Sequence, residues 1–183
     1  MKKIDNRTII CCFLAGALPF IIFVLSTSLS GMLPGQKYCF IYGDALIQYL
    51  SIAKNFWRNL FTGKSLVYSF CNGMGMPTIA INAFYSLSPF HSLSYFISDT
   101  NLAGFWIVCL KMVCSSFSMF VLVKKVFKMD DVMSVFLSTA YALCSYFAFF
   151  YIAICFTDML YIMPLIILAL WYFIRTGRGG GFV

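Results

Sequence analysis

Six acids, all aspartates, and one histidine are what this 183-residue chain offers for moving protons. Asp44 follows the first long apolar run, within Gly43-Asp44-Ala45-Leu46-Ile47-Gln48, and Asp158 lies in a short polar break between two later runs. Two carboxylates brought to one membrane face would suit a general base and its orienting partner. The competing reading is helix capping, since Asp is favoured at N-caps and each residue begins a helical pattern.

Lys111 stands near the middle of an apolar run. A cation there costs about 2.5–3.5 kcal/mol on insertion scales. It therefore binds an anion such as phosphate in a cavity, snorkels on its long stem, or pairs with a helix beyond this chain. Arg58 and Lys64 contact lipid headgroups or form a solvated surface, and Gln48 shares the polar face of Arg58. His91, beside Pro89 among serines, fits interfacial packing better than catalysis, while Asp130 and Asp131 look like a solvated loop.

Six of the eight cysteines fall in or beside apolar runs, where a thiol acts as a small hydrophobe. Cys39 and Cys71 are left to form one disulfide in an oxidising exterior, or to stay free. Without a C-x-x-C, H-E-x-x-H or His/Cys cluster, neither a metal site nor a cofactor is expected.

These residues must be positioned by a membrane. The chain is 62% hydrophobic and 10% charged, against about 45–50% and 25% for soluble domains. Its net charge of +7 gathers at the ends of apolar runs, which topology explains without nucleic acid. The spacing predicts an all-α polytopic protein with spans at 9–30, 102–123, 132–154 and 160–174. The first run exceeds a signal-peptide core and is read as retained, although Ser28-Leu29-Ser30 resembles a cleavage site. Lys2, Lys3 and Arg7 hold residues 1–8 in the cytoplasm. Lys124, Lys125 and Lys128 do the same for the loop 124–131, and Arg175 and Arg178 for the tail 175–183. Both termini are then cytoplasmic, and the loop 31–101 and the turn 155–159 lie outside.

Within the outer loop, Leu46, Leu50, Ala53, Trp57 and Leu60 recur at helical spacing. They predict an amphipathic helix over 44–61 lying at the interface. Residues 79–97 carry Asn82, His91 and Pro89 and are read as two short helices broken at Ser88-Pro89. Gly73-x-Gly75 is a tight turn and not a nucleotide loop.

Several stretches in this order resemble the YfhO family of bacterial membrane proteins. They are Gly43-Asp44 with Gln48 and Tyr49, Asn72-Gly73-Met74-Gly75, Ser88-Pro89-Phe90, Ala140-Tyr141-Ala142-Leu143, and Thr157-Asp158-Met159 with Pro164-Leu165. The resemblance implies a glycosyltransferase of the GT-C type in the bacterial plasma membrane. Such an enzyme moves a sugar from a polyprenyl-phosphate carrier to a cell-envelope polymer of the teichoic-acid type. It places the base role on Asp44, with Asp158 as a second acid, and Lys111, Arg58 and Gln48 toward substrate. Family members have about a dozen spans, so four spans and the ending 177–183 read as a truncated or frame-shifted piece. A transporter or flippase-like subunit and a non-catalytic membrane remnant are the other readings.

Overall fold

The computed structural model describes residues 6–70 and 75–177. Lys2, Lys3, Cys71, Asn72, Gly73, Met74 and Arg178, used above, lie outside the described residues. The described chain is mostly helical, and the strands among the described residues form one short antiparallel ladder, Tyr68–Ser69 (β1) with Met76–Pro77 (β2). Four helical segments are long and apolar enough to cross a membrane: Asn6–Leu29 (α1), Thr100–Phe127, Asp131–Phe150 and Asp158–Thr176. The protein is thus an all-α polytopic membrane protein. The segment over 79–97 is not among these four.

The chain divides into two compact units. The first gathers α1 up to Ser26, residues Lys111–Phe149 and the chain from Thr157. It contains α5 (Thr100–Leu122) from Lys111 onward, then α6 (Asp131–Ala142), α7 (Ser145–Phe150) as far as Phe149, and α8 (Asp158–Thr176). Two prolines inside spans decide how these helices are joined. Pro19 in α1 has no N–H, so the carbonyl of Ala15, four residues earlier, loses its helical donor. The hydroxyl of Ser116 in α5 donates to that carbonyl at 2.5 Å. Pro164 in α8 frees Leu160 in the same way, and the Tyr141 hydroxyl of α6 donates to the Leu160 carbonyl at 3.0 Å. In a bilayer no water can take over such a carbonyl, so a neighbouring helix must. Gly16 lets α1 come close enough: a Cβ there would stand 2.5 Å from the ring of Phe117. Cys11, Ala15, Phe120 and Val135 form the apolar core around this contact.

One end of this unit is polar. Lys124 Nζ lies 2.7 Å from Asp131, and Arg7 is 3.7 Å from the same carboxylate. Lys124 also donates to the Met129 carbonyl. Asp131, expected in a solvated loop, is thus an ion-paired junction of three segments. Asp130 caps α6 by accepting from the Met133 N–H.

The second unit comprises Thr27–Leu110 and Phe150–Phe156. Its centre is the buried pair Phe40 and Ile41. The Ile41 N–H donates to the Asn101 side chain at 2.9 Å, and the Phe40 ring meets Phe105 and Tyr151 at 5.3 and 5.2 Å. Gly104 is required here, because a Cβ would fall 2.5 Å from Ile41 and 2.9 Å from Leu50. Residues 151–156 leave the helix where 132–154 suggested one span: α6 ends in a tightened turn, Cys144 N–H to the Tyr141 carbonyl, and α7 stops at Phe150. Leaving the helix buries Ile154 and seats Phe156 against Phe84 and Phe150.

The helix predicted over 44–61 opens with a π turn, Ala45–Tyr49, and continues as α2, Leu50–Phe61. Of the predicted stripe Leu50 and Ala53 are buried and Trp57 is half-buried, with Phe56 buried beside them, but Leu46, the neighbouring Ile47 and Leu60 are exposed. The wider π turn adds a residue and rotates the first turn out of the 3.6-residue stripe. Against α2 pack α3 (Ile79–Tyr85), a 3₁₀ turn over Pro89–Ser92, and α4 (Leu93–Phe96). Trp57 Nε1 donates to the Ser86 carbonyl, Tyr49 stacks on Tyr85 at 5.0 Å, and Phe61 meets Tyr95 and Phe96.

Candidate functional sites

Asp44 is placed by Gly43, whose left-handed φ of +57° turns the chain into the π turn. The Gly43 carbonyl accepts from the N–H groups of Leu46 and Ile47, at 3.1 Å each. Asp44 has helical dihedrals, and its side chain makes no capping bond. The residue is exposed. Its carboxylate has no hydrogen bond or ion pair with any described residue, which removes the capping reading. Gln48, on the same π turn, is exposed as well. The Tyr49 phenol is pushed upward by burial first, then by Cys155, Tyr85 and the Asp44 carboxylate, which places it near that acid.

Arg58 does not join Asp44. It lies fourteen residues further along the same helical segment, about 20 Å at 1.5 Å per residue. There its guanidinium donates to Asn55 at 2.8 Å. His91 is buried, and its carbonyl accepts from the Ser94 hydroxyl, so it belongs to the packing of the 3₁₀ turn.

In the first unit the structure brings together Lys111 and Asp158. The Lys111 ammonium lies 2.8 Å from an Asp158 carboxylate oxygen, with side-chain exposures of 1% and 19%. The cation is not snorkelling, and its partner is supplied by this chain. Lys111 is thirteen residues from Lys124, which puts the pair about 20 Å from the Lys124–Asp131 end along α5. With its side chain only 1% exposed, the ammonium is not tolerable without its anion. Asp158 opens α8 after Thr157, which makes no side-chain cap.

Sequence reasoning flagged Lys111 and Asp158 separately and missed their pairing. It also missed Tyr141 and Ser116 as the donors for proline-freed carbonyls. A usable signal was present in each case: a cation inside one apolar run with an acid at the start of another, and a proline inside a span that demands a hydroxyl elsewhere.

No curated protein and no solved structure matches the chain significantly. The family described as bacterial membrane protein YfhO matches residues 15–183, nearly the whole chain and all four spans from Ala15 onward, so the chain belongs to that family.

Proposed function

We propose that this chain is part of a GT-C-type glycosyltransferase of the bacterial plasma membrane, with both termini cytoplasmic and Asp44 on the outer face. The observation that carries this reading is the unspent Asp44 carboxylate, exposed and free of hydrogen bonds or ion pairs among the described residues. A base must keep its lone pair available, and a capping or bridging acid does not. In the reaction, Asp44 takes the proton of an acceptor hydroxyl as that oxygen attacks the anomeric carbon. The bond from that carbon to the phosphate oxygen breaks, and its electron pair leaves with the polyprenyl phosphate. Taken separately, within the first unit, Lys111 lies in apolar surroundings and is suited to the negative charge of a phosphate. The exposed Gln48 supplies an amide for sugar hydroxyls. The acceptor is a cell-envelope polymer of the teichoic-acid type.

The test is Asp44→Asn, made in cells that depend on this protein for envelope decoration. Sugar content of the polymer should fall to that of a strain lacking the protein, while membrane levels of the variant stay normal. Unchanged sugar content rules Asp44 out as the base.

The Lys111–Asp158 pair favours a second reading, a flippase-like subunit, because ion pairs within spans also line substrate paths. Lys111→Met separates the two. Loss of lipid-linked sugar movement with transfer chemistry intact supports transport.

A further inference from the structure

Lys111 and Asp158 are unequal partners. The ammonium is almost wholly enclosed, whereas the carboxylate is a fifth exposed and starts a helix. Asp158 is therefore the member that can leave while the cation stays. Among the contacts that tie the first turn and a half of α8, as far as Pro164, to other helices are this pair and the Tyr141 bond to Leu160. A proline inside a helix is also where it bends most easily.

We propose that Asp158 is a built-in stand-in for the phosphate of a lipid headgroup. It occupies Lys111 when the site is empty, and the incoming phosphate displaces it. The cation then always has an anion beside it, as its burial demands. The returning carboxylate competes for Lys111 and so drives release of the spent carrier. In the displaced state Asp158 turns to the side on which it is already exposed. This assigns Asp158 to positioning and release and not to proton transfer. It rests on Lys111 as a phosphate-binding cation, but not on sugar transfer.

Competition makes a prediction of unusual sign. The apparent affinity of a ligand is lowered by the fraction of protein in which its site is occupied. Asp158→Asn removes the competitor, so binding should tighten, by roughly tenfold if the resting site is about nine-tenths occupied. A purely structural ion pair would weaken binding or leave it unchanged when broken.

The experiment uses the whole chain in phosphatidylcholine nanodiscs, titrated with dodecyl phosphate and, separately, with inorganic phosphate. Dodecyl phosphate should bind saturably to the wild type and more tightly to Asp158→Asn. The neutral double variant Lys111→Met/Asp158→Asn should not bind it. Inorganic phosphate should not compete, since the site is reached from lipid. Equal or weaker binding by Asp158→Asn overturns the proposal, as does wild-type affinity in the double variant. Inorganic phosphate binding as tightly as dodecyl phosphate overturns the lipid headgroup as source. If Asp158→Asn does not fold alone, dodecyl phosphate should restore its folded yield by supplying the missing anion, and failure to do so also overturns the proposal. Binding is read without any sugar, so its failure is distinct from unchanged polymer decoration in Asp44→Asn.

Discussion

Removing the Tyr141 hydroxyl tests whether proline-freed carbonyls are held from neighbouring helices. In Tyr141→Phe the ring remains, and only the donor to the Leu160 carbonyl at 3.0 Å is lost. Leaving a buried acceptor unsatisfied costs about 1–3 kcal/mol in soluble proteins. Interhelical hydrogen bonds in bilayers average about 0.6 kcal/mol with a maximum near 1.7. The carbonyl here has lost its own helical donor to Pro164, so the upper part of the membrane range applies, about 1–1.5 kcal/mol. The decisive measurement is a double-mutant cycle with Pro164→Ala, which restores an N–H to Leu160 within α8. In that background Tyr141→Phe should cost almost nothing. Reversible unfolding in mixed micelles at increasing dodecyl sulfate gives all four stabilities. A coupling below about 0.3 kcal/mol, within the additivity expected of independent sites, refutes the reasoning.

The same device predicts that Ser116→Ala lowers stability by about 1 kcal/mol, and that Pro19→Ala abolishes that loss in the same unfolding assay. Gly104→Ala should cost about 1–3 kcal/mol, read as a fall in thermal stability, because Ile41 and Leu50 leave no room for a methyl group. Lys111→Met should be more destabilising than the neutral double variant Lys111→Met/Asp158→Asn, since the single change removes the cation that neutralises the Asp158 carboxylate. Asp44→Asn should leave the unfolding midpoint within about 0.5 kcal/mol of wild type, because an exposed and unbonded side chain contributes little to folding.

Hydropathy made the four spans and the all-α class legible, since only long apolar helices satisfy their backbone within a bilayer. Leu50 and Ala53 of the amphipathic stripe were legible too, because they obey the regular helical period, whereas Leu60 at the end of the helix is exposed. Leu46 and Ile47 were not, since nothing in their residue types announces a π turn. Nor was the end of α7 at Phe150, where the apolar run continues without glycine or proline and tertiary burial of Ile154 decides. At the candidate sites, Asp44 stood out by position. The Lys111–Asp158 pair joins residues 47 apart in the chain, and no local pattern encodes that contact.

The two proline-linked carbonyls differ in when a growing chain can satisfy them. Tyr141 is made 19 residues before Leu160, so α8 meets its donor as it enters the membrane. Ser116 is made 101 residues after Ala15. At about 5–20 residues per second, α1 waits on the order of 5–20 s with an open carbonyl. During that interval the ribosome-bound chain has reason to keep its first helix beside the translocon, sheltered from lipid, until α5 arrives.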